Sequence, residues 1–467
     1  MKTHMTKYAN TKCLQRGKTE RLAFIFLFVF LFPFPSLKSQ TNQWTLEKCI
    51  HYAIEHNINL KQQEQQKELS AIAANTSKNS WLPSLNASMG QNFSFGRVQS
   101  ADGTISSRNG ANTSFGAQIQ MPVFEGLKIP NDIAAKKLDL QAATAALEKA
   151  EEDLAINVAS YYIQVLYNKE ILTIAELQVE LTTEQVSRTQ ALVDAGKVPL
   201  SQLYDIRAQL AKDEVALVEA RNNVGLALLD LKQSLELERE AGFDIETPYL
   251  DDVVGKYMGS ILPPDNIFDN AVAFKPQVKQ QEYLLESQKK MLKVAQADYY
   301  PKLNLNAGYN TGYYHYYSGL APGQTNRAFS DQFSDNSQQM IGFSLSIPVF
   351  NRFQVRNNVR SSRVNIVNRE LMIENAKKAL YKEIQQAYFN AVAAQEKYVS
   401  SEKSVLASKE AFNYAEERYA AGKSTVFEYN ESKTKYALSL SEQARSKYDF
   451  IFRVKILDFY NGMPIAL

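Results

Sequence analysis

Few residues in this chain have the types and spacing needed for chemistry. The four histidines, His4, His51, His56 and His315, form no HExxH or other metal-ligand spacing, and no GxxxxGK or GxGxxG is present to cradle a phosphate. No convergent acid/base pair or nucleophile motif points to catalysis, so neither an enzyme nor a cofactor or metal is expected. What stands out is a carboxylate pair, Glu428 and Glu431, just beyond Gly422. Their i, i+3 spacing puts both on one helical face, where a functional pair would stand together. The plainer alternative is a solvated helix face.

An internal repeat supplies the elements that position this pair. SWLPSLNASMGQN (80–92) matches DYYPKLNLNAGYN (298–310), FGAQIQMPVFEG (115–126) matches GFSLSIPVFNR (342–352), and ALVDAGKVPLSQLYD (191–205) matches RYAAGKSTVFEYN (418–430). The second copy carries extra residues between its two prolines, Pro301 and Pro348, which belong in a loop. Each copy reads as opening helix, two strands and two long helices. The first copy spans 41–240, with strands 83–96 and 113–124 and a hairpin 127–240. The second spans 264–467, with strands 301–316 and 339–350 and a hairpin 353–460. Residues 241–263 lose helical periodicity and read as a linker lying against the outside of the helices.

Within the long helices, apolar residues recur in steps of four and three in the same register in both copies. Leu154, Val158, Tyr161 and Val165 begin one seam, and Leu380, Ile384, Ala387 and Ala391 begin its counterpart; this is coiled-coil spacing. Each long helix stops at Ala-Gly-Lys, where glycine supplies a left-handed residue. The four strands alternate with one parity: Leu85, Ala87, Met89; Phe115, Ala117, Ile119; Leu303, Leu305, Ala307; Ile341, Phe343, Leu345. The opposite face is small and uncharged. A soluble half-buried sheet would alternate in the same way. Strand length and the aromatics Trp81, Phe124, Tyr299, Tyr300 and Phe350 at the helix-side ends favour lipid and an interfacial girdle.

The first 40 residues have the layout of a signal peptide: seven basic residues beside one acid, an apolar run from Leu22 to Phe34, and a small-residue site. An uncleaved anchor is the alternative. Without this segment the formal charge moves from +2 to −4 and only Cys49 of the two cysteines remains. No internal disulfide is then available, and nucleic acid is not an expected partner. No apolar run of transmembrane-helix length follows, so any membrane crossing must use strands.

These segments, in their duplicated order, resemble the TolC-like outer-membrane efflux proteins. The likeness runs through TLEKCIHYAIEHNINLKQQ (45–63), the WLPSLNAS and YYPKLNLNAG strand starts, MPVFEG and IPVFNR, the two AGK turns and ILDFYNG (456–462). It implies a mainly α fold with a membrane β-barrel portion: a homotrimer whose chains each give four strands to a twelve-stranded barrel, above a coiled-coil tunnel crossing the periplasm. It also implies a passive exit duct for tripartite efflux or type I secretion, working with a periplasmic adaptor and an inner-membrane transporter. Threefold symmetry would turn Glu428 and Glu431 into carboxylate rings at a pore constriction, although Gln202 and Asp205 stand in their places in the first copy. Gly196, Lys197, Leu200, Gly422, Lys423 and Val426, at the pole farthest from the membrane, become candidates for adaptor contact, against plain helix termination. The aromatic run Tyr313–Tyr317 reads as an outer girdle, with a ligand-binding stack at His315 as the alternative. The competing functional class is a secreted coiled-coil structural or adaptor protein without a pore.

Overall fold

In a computed structural model of the protein, residues 44–99, 103–237, 242–259, 261–318, 320 and 323–467 are described. The expected signal segment, with His4 and Cys13, lies outside them. The chain opens with α1 (Leu46–His56) and α2 (Ile58–Asn79), then β1 (Ser84–Ser94), a small hairpin of β2 (Arg97–Gln99) and β3 (Ile105–Ser107), and β4 (Gly110–Glu125). The long helices α3 (Lys128–Asp194) and α4 (Leu200–Ser234) follow. After the short α5 (Asp251–Tyr257), the order recurs as α6 (Pro264–Phe274), α7 (Pro276–Ala297), β5 (Lys302–Tyr316), a short α8 (Phe329–Asp335), β6 (Gln338–Ser346), α9 (Gln354–Ala420) and α10 (Val426–Tyr460).

Matching elements have equal lengths: 67 residues in α3 and α9, 35 in α4 and α10. A 67-residue helix is about 100 Å long. Each is entered through two consecutive left-handed residues, Gly126 and Leu127 in one copy, Arg352 and Phe353 in the other. Gly126 has no room for a side chain, because a Cβ there would sit 2.6 Å from the Ala297 carbonyl oxygen.

Each opening helix expected from sequence is two helices instead of one. Asn57 is extended (ψ 126°); its N–H still donates to the Ala53 carbonyl while its side chain accepts from the Leu60 N–H, so one residue closes α1 and caps α2. In the second copy Lys275 takes the same conformation (ψ 127°), which Pro276 enforces by excluding the helical region from the residue before it.

The heptad seam organises the second hairpin. Leu380, Ile384, Ala387, Ala391, Ala394, Tyr398 and Ser401 are all buried, at successive steps of four and three. The serines Ser401 and Ser408 meet hydroxyls of α10, Ser446 at 2.7 Å and Ser439 at 2.6 Å, so their polar atoms are paired inside the seam. In the first copy Val158, Val165, Ala175 and Thr182 are buried, but Tyr161 turns outward.

The segment expected to lie outside the helices packs into the core. Phe243, Ile245, Leu250 and Val254 are buried with Trp44 and the middle of α3. Ile245 pairs with Trp44 in a parallel bridge. The hydroxyl of Tyr162 donates to the carbonyls of Trp44 (3.1 Å) and Glu246 (2.8 Å), and Lys169 reaches Asp244 at 2.5 Å.

The four long strands form one antiparallel sheet in the order β1-β4-β5-β6. Pro122, expected at the end of its strand, lies inside β4 at a register shift between Pro122 and Phe124, where the ladder tolerates its missing N–H. β6 stops at Ser346, two residues before Pro348, and so ends short of the expected 350.

Candidate functional site

Two regions could carry function: the sheet and the opposite ends of the helical hairpins. In the sheet the residues of one parity share a face, since Leu85 pairs with Ile119, Ala117 with Tyr309 and Leu305 with Phe343. Leu85, Met89, Phe93, Ile341, Phe343 and Leu345 on that face are each at least 60% exposed in the single chain. Burying an apolar surface of this kind is worth about 25 cal/mol per Å², and water offers it no partner. The other face carries Asn86, Ser88, Gly90, Ser114, Gly116, Asn306 and Gly308. The outer edges of β1 and β6 face no strand among the described residues. Trp81, Phe124, Tyr299, Tyr300 and Phe350 are exposed and stand where the sheet meets the helices.

At the hairpin ends, Gly196 (φ 69°) and Gly422 (φ 71°) are left-handed. Lys197 N–H donates to Leu192 and Lys423 N–H to Arg418, closing each long helix with a glycine-dependent turn. Of the six residues singled out there, Val426 is buried inside its hairpin and presents no surface. Leu200 is exposed, and the neighbouring Phe427, which sequence inspection passes over, is 76% exposed.

Glu428 and Glu431 come out on the first turns of α10, each with its own partner. Glu428 completes a cap: its N–H donates to Thr425 Oγ at 3.2 Å, and its carboxylate accepts from the Ser424 hydroxyl at 2.6 Å with Arg418 at 3.7 Å. The Ser424 hydrogen bond, chiefly, holds this carboxyl below the usual carboxylate value. Glu431 pairs with Lys435 at 2.7 Å.

Sequence inspection missed a buried lysine. Lys433 on α10 donates to the Gln178 carbonyl of α3 at 3.2 Å and to Thr182, and its ammonium lies 2.7 Å from Asp213 of α4. Burial pushes its pKa below the ordinary lysine value. The signal was available: Val426, Tyr429 and Lys433 follow steps of three and four and are all buried, so the lysine stands on a seam. Beside it the α3 seam is itself polar. Gln178, Thr182, Gln185 and Thr189 are buried, and the amide nitrogens of Gln178 and Gln185 and the hydroxyl of Thr189 lack hydrogen-bond partners among the described residues. A second buried cation, Lys275, lies 3.2 Å from Glu152 and 3.4 Å from the ring centre of Phe459, joining the α6–α7 break to α3 and the end of α10. Among the described residues no cluster of three or more His, Cys, Asp or Glu side chains could hold a metal. No described helix is long and apolar enough to cross a membrane.

Comparison with known proteins gives a consistent picture. The sequence model of the outer membrane efflux protein family matches residues 49–236 and 267–453, one match in each copy of the repeat. Outer membrane protein TolC of Escherichia coli (strain K12) is 21% identical over 407 residues, covering 85% of this chain and 77% of that protein. Outer membrane efflux protein BepC of Brucella suis is 18% identical over 323 residues, 67% of this chain and 64% of that one. Among solved structures, CusC superposes with a TM-score of 0.74 at 15% identity, covering 90% of this chain and 92% of that one. The Campylobacter jejuni CmeC outer membrane channel superposes at 0.70 with 18% identity, covering 91% and 88%.

Proposed function

Because the chain belongs to the outer membrane efflux protein family, we propose that it is the outer-membrane exit duct of a tripartite efflux or type I secretion system, assembled as a homotrimer. The observation that carries this reading is the four-stranded sheet with one exposed apolar face and two edges that face no strand among the described residues. In lipid each unpaired backbone group costs several kcal/mol, so an open sheet cannot stay in a bilayer alone. Three copies supply twelve strands, enough to leave a lumen, and the small side chains of the polar face widen it. The hairpins then continue the passage away from the membrane. Their glycine-closed ends, with Gly196, Lys197, Leu200, Gly422 and Lys423, are the surface offered to a periplasmic adaptor fed by an inner-membrane transporter.

In that assembly the carboxylates of Glu428 and Glu431 become rings of three near the tunnel end, where they favour cations and constrict the passage. Like-charge repulsion across such a ring works against the Ser424 hydrogen bond that lowers the Glu428 pKa in the single chain.

The test of the duct is extraction and reconstitution. The protein should remain in the membrane pellet after carbonate washing, and the purified trimer should open ion channels in planar bilayers. Release by carbonate would refute membrane insertion and favour a soluble coiled-coil rod. Replacing both glutamates by alanine should change cation block or conductance; unaltered single-channel behaviour removes the ring. Cysteines placed at Lys197 and Lys423 should cross-link to the adaptor, whereas capture of the adaptor from the barrel end would reverse the docking polarity.

A further inference from the structure

The aromatic run at the outer end of β5 divides by strand parity into two groups with different surroundings. Tyr313, His315 and Tyr317 share the apolar face: the Tyr313 hydroxyl lies 3.2 Å from His315 Nδ1, and the His315 and Tyr317 rings are 5.2 Å apart. Phe329 and Phe333 of α8 cover this face, with Phe329 packing edge-on against Tyr313 and both phenylalanines against Phe115. Tyr314 and Tyr316 project from the opposite face, in line with Asn304, Asn306, Gly308, Asn310 and Gly312. That face is built of small side chains along the rest of the strand, and two large phenol rings appear at its outer end. Tyr314 is 44% exposed, and the Arg108 guanidinium lies 5.0 Å from the centre of the Tyr316 ring.

The backbone under these two tyrosines is held by side chains. β6 pairs with β5 only as far as Asn310, so among the described residues the last part of β5 has no strand on that side. The loop before β6, where the second copy carries its extra residues, supplies amides instead. Gln332 accepts from the Tyr314 N–H at 2.9 Å and donates to its carbonyl at 3.0 Å. Asn326 accepts from the Tyr316 N–H at 2.7 Å and donates to its carbonyl at 2.9 Å. Asn336 donates to the Gly312 carbonyl at 2.7 Å. Water would satisfy an outer edge at no structural cost. Two-point amide clamps at Tyr314 and Tyr316 go further and fix where the rings stand.

We propose that Tyr314, Tyr316 and Arg108 form an aromatic, cationic filter at the outer mouth of the pore that takes aromatic anions in passage. Ring faces stack on a planar solute, and the guanidinium selects negative charge. The filter rests on the trimeric duct proposed above, in which each set occurs three times and faces the lumen.

The experiment is single-channel recording of the reconstituted full-length mature protein, with 2-naphthalenesulfonate added on the outer side and methanesulfonate as the non-aromatic control. Naphthalenesulfonate should interrupt the current of the unaltered protein and methanesulfonate should not. In Tyr314→Ser/Tyr316→Ser the interruptions should shorten about two- to tenfold and the open conductance rise. Tyr314→Leu, which keeps bulk but loses the ring, should also shorten them. Arg108→Gln should shorten naphthalenesulfonate events while leaving those of neutral 2-naphthol unchanged. Unaltered interruption in every variant that inserts overturns the filter and leaves the duct standing. Absence of channels from the unaltered protein overturns the duct, and the filter with it.

Discussion

The ammonium of Lys433 on α10 lies 2.7 Å from Oδ2 of Asp213 on α4, so a buried ion pair ties the second hairpin to the first. The two ends are unequal: the Lys433 side chain is 2% exposed, that of Asp213 13%. Each keeps neutral partners when the other is changed, Asp213 the Gln209 amide at 2.7 Å and Lys433 the Gln178 carbonyl and the Thr182 hydroxyl, so burial of the charge decides between them. Removing one member of a buried pair strands the other and costs about 3–5 kcal/mol. Asp213→Asn, which strands the more deeply buried cation, should therefore lower the thermal midpoint more than Lys433→Met. The double change Lys433→Met/Asp213→Leu should recover most of the loss. If the two single variants and the double lose stability additively, the pair is not an interacting unit.

The glycines at the bends separate backbone strain from steric conflict. At Gly196 and Gly422 an added Cβ meets nothing within 4 Å, so alanine there costs only its left-handed conformation, about 1–2 kcal/mol. At Gly126 the same strain is joined by contacts of 2.6 Å with the Ala297 carbonyl and 2.7 Å with Tyr300 Cβ. Gly126→Ala should thus lower the thermal midpoint and the yield of folded protein well beyond either tip variant. Equal effects at all three positions would contradict this packing.

The elements of this fold differ in how far the sequence reports them. The heptad from Leu380 to Ser401 could be read because each seam residue is buried by its direct neighbour and the spacing recurs in the other copy. Strand parity was readable because the same alternation recurs in all four strands, although its apolar residues are exposed in the single chain. The breaks at Asn57 and Lys275 interrupt no hydrophobic period, since the apolar residues resume in phase across a single extended residue, so periodicity runs straight through them. Burial of Phe243 and Ile245 depends on Trp44, about 200 positions earlier, and no local pattern reports such a partner. Lys433 was hidden by its type: a lysine on a seam looks exposed until Asp213 and Thr182, on two other helices, are brought to it.

Glu428 gives the hairpin end a pH dependence of definite sign. Its carboxyl is held below the ordinary value of 4.5, first by the Ser424 hydroxyl, so the folded form favours the charged state. The cap is therefore fully present above the ordinary value and is lost as pH falls through the lowered one. Amide exchange around residues 424–430, corrected for intrinsic rates, should accelerate when the protein is moved from neutral pH to below 4. Glu428→Gln should remove most of that dependence. Identical protection at both pH values would show that the carboxylate does not hold the cap.

Cys49 probes the core directly. It is fully buried on α1, and burial pushes its thiol up to about 12 despite the lowering influence of Lys48. An ordinary cysteine near 8.5 is roughly one quarter thiolate at pH 8, whereas one near 12 is ionised about two-thousandfold less. The thiolate is the nucleophile, so in protein produced without residues 1–40, where Cys49 is the one cysteine, iodoacetamide should leave the folded form unmodified over hours at pH 8 and add one carbamidomethyl group promptly in denaturant. Intact mass before and after unfolding reads both states. Fast modification of the native protein would mean that α1 detaches from the core on that timescale, which its cap at Thr45 and the packing of Trp44, Leu46 and Ala53 oppose.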